Sequence, residues 1–181
     1  MTVDEIFSAL SAHFIKGMMF HDQMANYYDF LQLRGYKRCH EYHFRAESGS
    51  YRKLNRYYLN HYNKLIPESR VEDPKVIPES WYKYSRTDVD MQTKRNAIKT
   101  AVDRWIEWET DTKETLERMY CELLDLNEIS TAIYISKFIE DVDCELKYAE
   151  RKKLDLISVD YDMTYILDQQ KRLHDKYKSM L

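Results

Sequence analysis

The sequence predicts an all-α protein: two antiparallel helical hairpins that form a four-helix bundle, joined by one long crossover and followed by a fifth helix. Three observations carry this. All three prolines, Pro67, Pro74 and Pro78, fall in one twelve-residue window. The chain of 181 residues has only three glycines, Gly17, Gly35 and Gly49. On both sides of the window, apolar residues recur at helical spacing. Proline removes a backbone donor and clashes inside a helix, and glycine costs helix stability, so two long helix-permissive stretches flank one extended connection.

The first helix is expected over about residues 3–31, with Val3, Phe7, Leu10, Phe14, Ala25 and Tyr28 on one stripe. A short turn at Gly35 leads to a second helix over about 36–65, carrying Tyr36, Phe44, Tyr51, Leu54 and Tyr58. So short a turn makes the two helices antiparallel neighbours. The proline-bearing stretch, about 66–87, is too polar and too broken for a helix or buried strand. Asp88 or Asp90 offers an N-cap for a third helix to about 125, striped by Ile98, Val102, Trp105, Leu116 and Tyr120. A fourth follows over about 129–157, with Ile135, Ile139, Val142 and Ala149 inward, and Ser158 or Asp160 breaks it from a fifth over about 159–179. The length fits one domain with one substantial core, residues 1–181.

Charge is nearly balanced, with a net of -3, which gives no support to a nucleic-acid-binding role. Cys39, Cys121 and Cys144 show no CxxC spacing and read as reduced thiols of a cytoplasmic protein. The first ten residues include Asp4 and Glu5 and no long apolar run, so neither a signal peptide nor a membrane span is expected. Nucleotide-driven and hydrolase readings lack their phosphate-loop, dinucleotide, GxSxG and HExxH motifs.

Successive helical residues turn by about 100°, so each apolar stripe can be searched for polar interruptions. His21 is central on the first helix, Glu47 on the second and Glu109 on the third. The fourth helix has an apolar stripe centre, with Asp143 on one shoulder, Glu145 on the other and Glu140 turned away. Counting from the two turns, each hairpin brings its polar residues to one height. Unpartnered buried carboxylates cost several kcal/mol or take up a proton, and a shared cation is one remedy. The other is a metal-free hydrogen-bond network with His21 protonated between two carboxylates. His40 and His43, one turn apart, offer an i, i+3 metal pair, but read more readily as helix-end polar residues near the turn.

On these residues the chain resembles the ferritin-like superfamily, whose connectivity is a four-helix bundle with one long crossover. The run from Trp108-Glu109 to Leu116 and Met119 is similar to the superfamily's third helix, with Glu109 at a ligand position, and Glu47 matches the bridging glutamate of its second. The chain departs from the pattern at Ser50, where Glu-x-x-His would have its histidine, and on the first helix, where His21 replaces a glutamate. The resemblance implies a metal site at Glu47, Glu109, His21 and Asp143, holding iron, with manganese or zinc as other occupants of such a donor set, and a homo-oligomer. Ferroxidase or related di-iron oxidoreductase activity is the enzymatic form of that implication. The competing expectation is a non-catalytic bundle acting as a structural or interaction module, with the fifth helix as its partner surface.

Overall fold

A computed structural model describes residues 1–180. Five helices make the frame: α1 Val3–Phe30, α2 Arg34–Tyr62, α3 Met91–Asp125, α4 Ile129–Ser158 and α5 Met163–Lys178. Thr2 and Glu5 start α1 with a capping box, in which the Glu5 amide donates to the Thr2 hydroxyl at 3.2 Å and the Thr2 amide to the Glu5 carboxylate at 2.7 Å. The α1–α2 turn is tight because Gln32 adopts a left-handed conformation between the buried Leu31 and Leu33. Asn63, also left-handed, ends α2 three residues short of the expected boundary at residue 65.

The connection lies along α1 from one end to the other. Ser8 donates to the Pro67 carbonyl at 3.0 Å, the Val76 amide donates to Gln23 at 2.9 Å, and Trp81 packs edge-on against Tyr27 and Phe30. From Ser8 to Phe30 is about 33 Å of helix at 1.5 Å per residue. The chain is thereby returned to the end at which α2 began, so α3 starts beside it and runs parallel to α2. Two 3₁₀ turns, Glu79–Lys83 and Arg86–Asp88, close the crossover where only irregular chain is expected from the sequence. Asp90 is the cap the structure uses for α3, accepting from the Thr93 amide at 2.6 Å.

α5 starts later than residue 159. Asp160 and Tyr161 are both left-handed and reverse the chain, and Asp162 then caps the new helix through the Tyr165 amide at 2.9 Å. α5 folds back on α2. The contact is backbone to backbone: a Cβ at Gly35 would stand 1.8 Å from the Gln170 carbonyl oxygen. Gly35 itself has helical geometry, so glycine serves close approach there rather than an unusual φ. Among the described residues, no helix is long and apolar enough to cross a membrane.

The core is divided. Phe7, Leu10, Phe14, Leu54, Leu116 and Ile135 belong to one apolar cluster, and Met24, Tyr28, Leu33, Ile98, Trp105 and Leu156 to another. On every bundle helix the boundary falls at the same height. It lies between Phe14 and Phe20 on α1, Cys39 and Leu54 on α2, Trp108 and Leu116 on α3, and Val142 and Ala149 on α4. His40, His43, Glu47, Glu109 and Thr112 occupy that gap and His21 adjoins it, while Thr131 is buried at the far end of α4.

Candidate metal centre

The layer between the two clusters is built from α1, α2 and α3. His21, His40, His43, Glu47 and Glu109 are all buried, with Glu109 and His21 completely so. His40, His43 and Glu47 follow i, i+3, i+7 along α2 and therefore face the same way. Their height is set by the short α1–α2 turn on one side and by the α3–α4 turn on the other. The sequence reading brings His21, Glu47 and Glu109 into one layer, and the structure has them there. Asp143 is different. Its carboxylate is turned outward between Lys113, at 2.7 Å, and Lys147, which hold it down to about 2. Two positions along a helix turn by about 200°, so Asp143 and Glu145 point to nearly opposite sides, and Glu145, on the other shoulder, is the one that reaches the layer. Glu145 lies 3.4 Å from His43 Nδ1.

For His40 and His43 the sequence favours a helix end over an i, i+3 metal pair, and the structure puts both in the layer. Their closeness to the turn suggested a helix end, but α2 begins at Arg34 and both rings turn inward against His21 and Trp105. The signal was present in their shared stripe with Glu47. Phe44, placed on the inward face from sequence, is instead exposed because His43 takes that direction.

The contacts are specific. His21 Nδ1 and His40 Nδ1 share a hydrogen bond at 3.0 Å, and His21 Nε2 lies 3.8 Å from Glu109 Oε1. That same Glu109 oxygen accepts from the Trp105 indole at 2.8 Å. The Glu47 carboxyl sits over Gly17, where a Cβ would stand only 2.8 Å away. The small residue on α1 thus makes room for the acid on α2. A cavity of 20 Å³ adjoins Glu47, Ser50 and Glu145, about the space one water-sized occupant needs.

The electrostatics follow from burial. Burial first, then the charge of Glu145, pushes Glu109 up to about 8, although His43 and Trp105 oppose it. Glu47 is raised well above the carboxylate range by burial and by the charges of Glu109 and Glu145. Burial lowers His21, helped by His43 and His40, and lowers His40, helped by His43. His21 is therefore neutral, not an imidazolium between two carboxylates. His43 is the cation of the layer. Burial pulls it down, but the neighbouring Cys39 and the Glu145 carboxylate outweigh that and raise it well above the ordinary imidazole value. Without metal the layer is a set of protonated acids and neutral imidazoles around one ion pair.

Four atoms of this layer are buried without a hydrogen-bond partner: His21 Nε2, Glu109 Oε2 and both ring nitrogens of His43. Buried polar atoms are ordinarily paired, so orphans that converge from three helices mark a place built for something further. Among the described residues, no three His, Cys, Asp or Glu side chains already surround one point at ligand distances. The donor types nonetheless suit a transition-metal ion.

No protein-family model matches the sequence, and no curated protein does. Solved structures match closely in shape. A humanized archaeal ferritin superposes with a TM-score of 0.78 at 15% identity, covering 94% of this chain and 93% of that one. An open-pore ferritin from the hyperthermophilic archaeon Archaeoglobus fulgidus gives 0.77 at 15% identity, over 93% and 92% of the two chains. A form of that ferritin engineered to be closed gives 0.77 at 15%, over 96% of each. The fold is ferritin-like. With matches that run nearly end to end, the ferritin-like architecture takes in α5 and the crossover as well as the four bundle helices.

Proposed function

We propose that this ferritin-like chain binds a transition-metal ion, Fe(II) foremost, in the polar layer of its core. The observation that carries the reading is the pairing of two buried, proton-holding carboxylates with orphaned imidazole nitrogens at one height of the bundle. Glu47, Glu109 and His21 are the proposed ligands, with Glu145 in the role the sequence reading gave to Asp143. The ferritin-like fold supports iron as the ion, and Glu and His donors are compatible with it as well as with manganese and zinc. Iron held there supplies one-electron redox chemistry toward O₂. The chain's own residues bind it, exclude bulk water through Phe14, Trp105 and Trp108, and release protons as it enters.

Proton release is the distinguishing feature. Glu47 and Glu109 are protonated in the empty layer, so each must give up a proton to ligate, and affinity should rise steeply with pH up to about 8. The test is anaerobic Fe(II) and Zn(II) titration of chelator-treated protein at pH 6 and pH 8, with elemental analysis. Uptake of metal at pH 8, weakened at least tenfold at pH 6 and unchanged in Asp143→Asn, is expected. No uptake at either pH would end the proposal.

The same reading includes self-association. Phe44 on α2 and Ile129 and Ile133 on α4 leave apolar surface exposed, 38%, 54% and 57% respectively, which an interface between copies would cover. Sedimentation velocity should show an assembly; a monomer at every concentration tested would contradict it.

A further inference from the structure

Away from the polar layer, near the C-terminal end of α2, a groove of 340 Å³ runs between α2 and α4. Its lining is Lys53, Arg56, Tyr57, Asn60 and His61 from α2 and Tyr134 from α4. The aromatic members form a column. Tyr57 and Tyr134 stack with ring centroids 3.8 Å apart and planes 9° from parallel, and His61 lies on Tyr57 at 5.1 Å and 11°. The column is held from behind. The Tyr57 hydroxyl is 3.2 Å from Thr131 Oγ1, and Tyr134 packs edge-on against Phe138 at 5.5 Å. The hydroxyl of Tyr57 is thus turned inward.

The polar members are all donors or cations. Lys53, Arg56, Asn60 and His61 are exposed, and the Lys137 ammonium stands 6.0 Å from the Tyr134 ring centroid. Among the described residues, no carboxylate lines the groove, although the chain as a whole carries a net charge of -3. Lys53, Arg56 and Asn60 recur at three- and four-residue spacing along α2, so their side chains lie on one side of the aromatic column.

Each observation excludes a class of occupant. A bare inorganic anion would leave most of the volume and the aromatic surface unused. A neutral hydrocarbon would leave Lys53 and Arg56 without a counter-charge. A flat ring with an anionic group uses both: the ring lies on the tyrosine and histidine surface, and the anion takes hydrogen bonds and charge from Lys53 and Arg56. The volume is in the range of small-molecule sites. We propose that this groove binds a small anion that carries a flat aromatic ring, of mononucleotide size.

The site is independent of the metal proposal, since none of its residues belongs to the polar layer. The probes are FMN, riboflavin and inorganic phosphate, which separate ring plus anion, ring alone and anion alone. FMN fluorescence should be quenched on titration with the protein at low salt, with one FMN per chain. Riboflavin should bind at least tenfold more weakly, and phosphate should displace FMN only in large excess. Raising the salt concentration should weaken FMN binding. Lys53→Glu and Arg56→Glu should each lower FMN affinity about tenfold with the helical circular dichroism unchanged, and Tyr134→Leu should reduce the quenching. Equal affinities for FMN and riboflavin, FMN binding untouched by Lys53→Glu and Arg56→Glu, or no saturable binding below about 1 mM would each overturn the proposal.

Discussion

Replacing Gly35 by alanine is expected to detach α5 from the bundle. The added Cβ would stand 1.8 Å from the Gln170 carbonyl oxygen, 2.6 Å from its carbonyl carbon and 2.9 Å from its Cα. These are backbone atoms of a helix, and they cannot move aside as the tip of a flexible side chain can. The helix must shift as a body or leave. If it leaves, Ile166, Leu173 and Tyr177, all buried, return to water, and each such side chain contributes about 1.5–3 kcal/mol when buried. Overpacking alone costs about 1–3 kcal/mol. Helix propensity acts the other way, because alanine is favoured over glycine in a helix by about 1 kcal/mol. The steric term is the larger, so a net loss of about 3 kcal/mol is expected in denaturant unfolding. A thiol count reports where the damage falls. Cys121 and Cys144 are exposed and Cys39 is buried beneath α5, so the parent protein should show two fast-reacting thiols and Gly35→Ala three. An alanine variant as stable as the parent, with two reactive thiols, would mean that α5 does not pack on Gly35.

The second large effect is at Glu109. Burial and Glu145 raise its carboxyl from 4.5 to about 8 in the folded protein. Below pH 4.5 it is protonated in both folded and unfolded chains and the stability it contributes is fully present. As pH rises above 4.5 the unfolded chain ionises while the folded one does not. Stability is lost progressively until the folded group also ionises near 8. Glutamine keeps the shape and can keep the acceptor for the Trp105 indole, and it has no proton to lose. Metal-free Glu109→Gln should therefore match the parent near pH 4.5 and exceed it at pH 8. At about 1.4 kcal/mol per pKa unit the shift from 4.5 to about 8 makes the gain on the order of 4–5 kcal/mol. The buried His21 and His40 lose stability in the opposite direction, as pH falls below 6.5, and do so in both proteins, so they cancel from the difference. Metal uptake should fall at least tenfold in the same variant, because a carboxylate ligand has gone. Identical stability profiles between pH 4.5 and 8 would put an ionised Glu109 in the core and remove the basis for proton release on metal binding. Uptake retained in full would remove Glu109 from the ligands.

Much of the frame was legible because helices announce their ends locally. The proline window, the turn at Gly35 and the cap at Asp90 act on their own backbone within a few residues, and the apolar stripes show which faces turn inward. Counting from the turns also brought His21 level with Glu47 and Glu109 level with Glu145, since a rise of 1.5 Å per residue and a short turn together fix relative levels within each hairpin. The choice between Asp143 and Glu145 was beyond it. Both are shoulder residues of α4, and only the neighbours decide: Lys113 of α3 and Lys147 draw one carboxylate to the surface, while His43 of α2 draws the other to the interior.

Sequence periodicity by itself determined that this chain is all-helical, that its two hairpins are joined by a crossover along the bundle, and that acids and a histidine interrupt its core. Tertiary structure alone decided that His40 and His43 are buried in that layer against His21 and Trp105, that α5 packs on Gly35, and that Glu47 fills the space over Gly17. The division has one physical cause. Helix formation and facing depend on residues three and four apart, whereas burial, protonation and the pairing of charges depend on atoms brought together from distant parts of the chain.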